Sequence, residues 1–308
     1  MDITVTGGAG FIGSHLCEWL IGQGHTVTCI DNLAAGAARN IESIINNPNF
    51  RFIQHDVTQP LDLKTEAIFH LASRASPPAY LNYPVETALA NSLGTYLMLE
   101  AARRCKARFL MASTSEIYGD PQEHPQREDY WGHVNPNGQR SCYDESKRFA
   151  ESLTMTYFRH YGLDARIVRI FNCYGPRCDD GRVVPNFIGQ ALAGEKMTVY
   201  GAGQQTRSLC YVSDLVGGLT AAMFTAGTQG GVYNLGNPDE HTILDLAHII
   251  RALCGSNSNI VHVDPISEDD PRRRCPDISR AKQVLGWSPK VSLTEGLRKT
   301  ITWFQSRT

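Results

Sequence analysis

No apolar run in the 308-residue chain is long enough to cross a bilayer, so no membrane partner is expected. Neither sign of charge dominates. The 29 Lys and Arg nearly balance 31 Asp and Glu, and the net −2 removes any electrostatic case for nucleic acid. The nine cysteines (17, 29, 105, 142, 173, 178, 210, 254 and 275) are odd in number, scattered, and include no CxxC pair. A disulfide framework or zinc site is therefore not expected; the reading is no metal, small buried thiols, and a reducing, cytoplasmic setting. Repeats and low-complexity segments are also missing, which leaves an ordinary globular chain near the size at which one core divides into two. The first strand begins almost at Met1, so no signal peptide is expected.

What the chain does have is a glycine turn between a strand and a helix. Ile3 and Val5 belong to a buried strand, Thr6 to His15 carry three glycines at three-residue spacing (Gly7, Gly10, Gly13), and Leu16 to Leu20 read as helix. Gly8, Gly10 and Gly13 also fit the G-x-G-x-x-G fingerprint. Such glycines let the backbone turn tightly and approach a pyrophosphate, while the helix N-terminus offers free N–H groups. A second strand, His25 to Ile30, ends at Asp31, placed to accept hydrogen bonds from a ribose diol. Asn32 to Gly36 follow as a polar loop, and Ile41 to Asn47 as a short helix.

Short apolar runs alternate with helical patterns through the N-terminal half, the mark of a doubly wound parallel sheet of Rossmann type. Phe50 to His55 is a third strand ending in Asp56 and Val57. Asp56 either caps the next turn or faces an adenine. Ala67 to Leu71 is a fourth, with Ala72 and Ser73 at its ligand-side end. A long helix over Pro84 to Cys105 carries Asn91, either a core polar residue or a contact near the site. Arg108 to Ser113 is a fifth strand, ending in Thr114, Ser115 and Glu116. Their hydroxyls and carboxylate either cap a turn or serve chemistry at the carboxyl end of a central strand. Residues 119–142 form a loop long enough to suggest function.

Tyr143 opens a helix running to about Tyr161, with Lys147 four residues on and so on the same face, one turn away. Ala165 to Phe171 is a sixth strand. The expected division is a dinucleotide-binding domain over 1–171 and a smaller α/β substrate-binding domain over 172–308, with segments near 208–235 returning to the first. Within the latter, helices are expected at Asp214 to Phe224 and Ile243 to Leu253, and a strand at Val232 to Leu235. The run Asp269 to Arg274 reads as a solvated charged loop.

The glycine turn, Asp31, the Thr114–Glu116 strand end and the Tyr143/Lys147 pair together resemble the extended short-chain dehydrogenase/reductase family that acts on nucleotide sugars. Within it, the stretches STSEIYGDP (113–121), EDYWGHVNP (128–136), SCYDESKR (141–148), DGRVVPNFI (180–188) and LGNPDEHTI (235–243) resemble the branch that decarboxylates UDP-glucuronate to UDP-xylose. The dehydratase branch places an Asp before the Glu, which Ser115 replaces here. Arg74 stands where the branch pattern has Pro.

The resemblance implies NAD as cofactor, held by Gly7, Gly10, Phe11, Ile12, Gly13, Asp31, Asn32, Gly36, Asp56, Val57, Leu71, Ala72, Ser73, Tyr143 and Lys147. Asp31 would repel a 2′-phosphate, and Asn32-Leu33 add no arginine, which disfavours NADP. The implied catalytic set is Tyr143, Lys147, Thr114, Ser115, Glu116 and Arg274: Tyr143 as base, its phenolate favoured by the Lys147 ammonium, and Glu116 positioning the ring or handling a proton near C5. Asn172, Arg182, Arg207 and Arg274 are implied substrate contacts, with surface salt bridges as the plain alternative for Arg182 and Arg207. The implied cycle returns hydride to C4. Rival activities are an oxidative decarboxylase releasing UDP-4-keto-pentose and NADH, a UDP-sugar 4-epimerase, and an NAD-binding sensor without catalysis. A homodimer through helices near 88–104 and 144–160 is also implied.

Overall fold

The computed structural model describes residues 1–178, 181–264 and 273–307. Seven parallel strands form its centre: β1 (Asp2–Thr6), β2 (Thr26–Asp31), β3 (Phe50–Gln54), β4 (Ala67–His70), β5 (Arg108–Thr114), β6 (Ala165–Ile170) and, much later, β11 (Val232–Leu235). Their order is β11-β6-β5-β4-β1-β2-β3. Chain direction across the sheet reverses at β1, whose two neighbours are β4 and β2, and a crevice opens at the carboxyl ends there. Val5, Phe69, Leu110 and Val168 are fully buried within this sheet.

Helices cover both faces. On one side α3 (Pro84–Cys105) and α4 (Ser141–Tyr161) lie against each other, joined by Asn91 Nδ2 to Ser146 Oγ at 2.9 Å and Tyr157 OH to Glu100 Oε1 at 2.6 Å. The first of these bonds is buried and answers the choice over Asn91: it is a core polar residue. On the other side lie α1 (Phe11–Gly22) and α6 (Val212–Phe224). A short α2 (Pro77–Asn82) precedes α3, two prolines opening it where missing N–H groups cost nothing.

From residue 172 on, three two-stranded ladders sit at the carboxyl edge: β7 (Cys173–Tyr174) with β10 (Cys210–Tyr211), β8 (Met197–Tyr200) with β13 (Ile260–Val263), and β9 (Thr206–Ser208) with β12 (Glu240–Thr242). Around them pack α5 (Val183–Leu192), α7 (Ile243–Leu253), α8 (Ser279–Leu285) and α9 (Leu293–Gln305). Meanwhile α6 and β11 rejoin the main sheet.

Three local differences from the sequence reading have plain causes. The first helix begins at Phe11, because the turn closes within Gly7 to Gly10 and Gly10 already caps it in extended conformation. Residues Ala38–Ile44 form a 3-10 turn in place of the short helix, with Ala37 N and Asn40 Nδ2 tied to the Ala9 carbonyl. Helix α4 starts two residues before Tyr143, which lies in its first turn. No described helix is long and apolar enough to cross a membrane.

Candidate active site

A cavity of about 980 Å³ occupies the crevice, floored by the ends of β1, β2, β4, β5 and β6 and bounded by Asn172, Cys173, Arg177, Cys178, Arg182 and the end of α9. At its dinucleotide end the backbone sets the shape. Gly7 has φ +70, and a Cβ there would lie 2.8 Å from Ala72 N; a Cβ on Gly13 would lie 2.1 Å from the Gly7 carbonyl. Only glycine fits either position. Gly10 caps α1 without a side-chain bond, so first-turn N–H groups face the cavity. Asp31 Oδ1 and Oδ2 accept from Leu33 N at 2.8 Å and Ala9 N at 3.0 Å. Burial raises its pKa, against those two bonds. Asp56 lines the cavity and caps its turn, accepting from Thr58 N at 2.9 Å and from Asn32 Nδ2 at 2.8 Å. All residues assigned to the cofactor from sequence line this one cavity. A glycine cradle, an open helix N-terminus and a carboxylate at the end of β2 fit a dinucleotide with a free ribose diol.

At the other end side chains set the chemistry. Tyr143 is 4% exposed, its ring stacked on Tyr80 with centroids 5.1 Å apart. Burial pushes its phenol well above the ordinary value; a hydrogen bond with Thr114 works against that, Glu116 adds to it, and Arg182 opposes it. Thr114 also caps the turn after β5, its Oγ1 accepting from Glu116 N at 3.2 Å. Lys147 is buried, donates to the Ala112 carbonyl at 2.9 Å, and is lowered to about 7 by desolvation despite Glu151. Lys147 is anchored to the end of β5 by that bond, and Arg182 is one cation that lowers the Tyr143 phenol. Ser113 donates to Glu151, itself paired with Arg169 at 2.8 Å, and so belongs to the support of β5.

Glu116 lies between two guanidiniums. Arg274 grips it bidentately, with Nη2 to Oε2 at 2.7 Å, and Arg140 binds the same carboxylate. Burial works against ionisation, but these cations win and hold the carboxyl at about 2. Held in this way, Glu116 is an anion and a hydrogen-bond acceptor beside Thr114 and Ser115. Arg274 is 3% exposed and contradicts the solvated-loop reading at this residue. Residues 269–272 of that run lie outside the described ones. Arg274 reaches the site through Glu116 rather than by lining the cavity. Arg207 does not line it either: it is buried in β9, with Nη1 on the Thr206 carbonyl at 2.8 Å, so the surface reading fails on burial. Asn172 and Arg182 do line it, as does Ser115.

Sequence reasoning missed Arg140, Tyr80 and Arg177. Arg140 lies three residues before Tyr143 in a loop without periodicity; its guanidinium is 5.8 Å from the Tyr80 ring. Arg177 lines the cavity and pairs with Glu18 of α1 at 2.6 Å. Arg177 stands six residues after the expected sixth strand, and that position was the available signal.

A doubly wound parallel sheet, a glycine turn over its switch point, and Tyr143 with Lys147 on one helix beside a Thr-Ser-Glu strand end define an extended short-chain dehydrogenase/reductase site. The family model described as GDP-mannose 4,6 dehydratase matches residues 4–300, and the chain belongs to that family. A UDP-glucuronic acid decarboxylase 1 of Danio rerio is 54% identical over 98% of this chain and 72% of its own length. The UDP-glucuronic acid decarboxylase 1 of Arabidopsis thaliana is 52% identical over 100% of this chain and 70% of its own. Among solved structures, a UDP-glucuronic acid 4-epimerase from Bacillus cereus, in complex with UDP-glucuronic acid and NAD, superposes with a TM-score of 0.90 at 29% identity. It covers 100% of both chains.

Proposed function

We propose that the protein converts UDP-glucuronate to UDP-xylose and CO2 through a 4-keto intermediate, with NAD retained and no net redox change. The observation that carries the reading is Tyr143, Thr114 and Glu116 together at one end of a single cavity, with Glu116 paired to Arg274 and Arg140. The nicotinamide supplies hydride acceptance from C4 and its return. Tyr143, assisted by Thr114, takes the proton from the sugar 4-hydroxyl. Oxidation at C4 leaves the C5 carboxylate β to a ketone, and its electrons flow into an enolate as CO2 departs. Tyr143 OH and Thr114 Oγ1 donate to that enolate oxygen, C5 takes one proton from solvent, and the hydride returns to C4. Arg274 and Arg140 act through Glu116, whose carboxylate they hold in place and ionised at the edge of the cavity. Ser115 hydrogen-bonds the sugar carboxylate, and Asn172 and Arg182 bind the UDP; that all three line the cavity supports this.

The division of labour follows the chain: 1–171 with 208–235 holds NAD, and most of 172–308 the nucleotide sugar. A homodimer through α3 and α4 is supported by the exposed stripe Val85, Leu89, Leu93 and Tyr96 on α3, with Phe149 on α4. Sedimentation at the mass of one chain would remove it. Nine free thiols suit the cytoplasm. The function is tested by NMR of the product from UDP-glucuronate with catalytic NAD. UDP-xylose is expected; UDP-galacturonate without CO2 would make it an epimerase.

A further inference from the structure

Arg74 makes two contacts that none of these roles requires. It lies in the loop after β4, lines the cavity, and its Nη1 donates to the Ala34 carbonyl, in the loop after β2, at 3.1 Å. Its guanidinium also sits 4.5 Å from the centroid of the Tyr83 ring, at the junction of α2 and α3. In the sheet, β4 and β2 flank β1, and the glycine turn follows β1. A link from the β4 loop to the β2 loop therefore passes across the mouth of the dinucleotide end. The β2 loop is fastened at its base by Leu33 N to Asp31 and Ala37 N to the Ala9 carbonyl, while Ala34 N is held only locally, by Asn32 Oδ1 at 3.0 Å. Arg74 ties this tip to the opposite wall, and Tyr83 fixes the guanidinium that does so.

We infer that Arg74 is a clasp that spans the glycine turn and slows the escape of bound dinucleotide. The inference rests on the NAD reading above. It gives that reading a physical device: hydride taken from C4 must return to the same sugar, and a cofactor that left between the two transfers would strand a 4-keto sugar. A charge-assisted hydrogen bond and a half-exposed cation–π contact together are worth roughly a tenfold change in a dissociation rate.

The test is a displacement experiment on the full chain: load the protein with NADH, chase with excess NAD, and follow the loss of bound-nicotinamide fluorescence. Arg74→Ala should release the dinucleotide roughly tenfold faster, and Arg74→Lys, which keeps the charge and loses the planar fork, at an intermediate rate. Tyr83→Ala, outside the cavity lining, should accelerate release about threefold, whereas Tyr83→Phe, which keeps the ring, should match the parent. Thermal melts check that each variant is folded. Release from Arg74→Ala and Tyr83→Ala at the parental rate overturns the clasp while leaving NAD in place. A parent chain that holds no dinucleotide overturns the NAD reading and the clasp with it.

Discussion

The two ends of the cavity are built by different physics. The dinucleotide end is a matter of backbone: Gly7 and Gly13 leave room that a single carbon would fill, and α1 presents its own N–H groups. It comes almost entirely from the first 75 residues. The sugar end is a matter of charge: Glu116 from the end of β5, Arg140 from before α4, Arg182 at the start of α5 and Arg274 from near the C-terminus. Close backbone approach shapes the one end, and charges gathered from distant segments shape the other.

That contrast can be broken first at Tyr143. Tyr143→Phe should lower turnover roughly a thousandfold, within the range for loss of a general acid–base, while dinucleotide affinity changes little. Steady-state kinetics beside an NAD titration check this; turnover within tenfold of the parent would dismiss the assignment. Next, Gly13→Ala should weaken NAD binding roughly a hundredfold and lower the melting temperature, because its Cβ meets the Gly7 carbonyl at 2.1 Å. Gly22→Ala near the end of the same helix, where a Cβ would meet nothing within 4 Å, should be neutral or slightly stabilising. Equal losses in both would mean that the turn is not what glycine serves.

Arg274→Met probes the other end. It leaves Glu116 with Arg140 alone and should cost on the order of 3 kcal/mol of stability in denaturant melts, as for a broken buried pair. It should also reduce kcat/KM for UDP-glucuronate while sparing NAD affinity; weakened NAD binding would erase the distinction between the two ends. The smallest effect is on pH dependence. Glu116 is held at about 2, below its ordinary 4.5, so its contribution to stability is fully present above 4.5 and is lost as pH falls toward 2. Glu116→Gln should flatten that acid limb in melts taken across the window. Lys147 has the same sense on the basic side: with its pKa lowered from 10.5 to about 7, stability should rise with pH between those values, and Lys147→Met should abolish the rise.

The same contrast explains what the sequence made legible. Alternating apolar runs and glycines are local signals, so the strands, the Pro84–Cys105 helix and the residues around the glycine turn could be read without coordinates. Tyr143 and Lys147 were legible because a helix fixes their relation. Arg140 was not, since its meaning depends on Glu116, 24 residues away, and on Tyr80 across the loop. The acidity of Glu116 was equally hidden: burial alone would have raised it, and only two cations from separate segments reverse the sign. Asp144 shows the same coupling, pushed up to about 7 by burial and by the charge of Glu116.

The closed cycle at the centre of this account is tested most directly with UDP-glucuronate carrying deuterium at C4 and only catalytic NAD. The account predicts one CO2 per sugar consumed, UDP-xylose that keeps the deuterium at C4, and no accumulation of reduced nicotinamide. Reduced nicotinamide formed in step with CO2, or UDP-xylose without the C4 label, would contradict it.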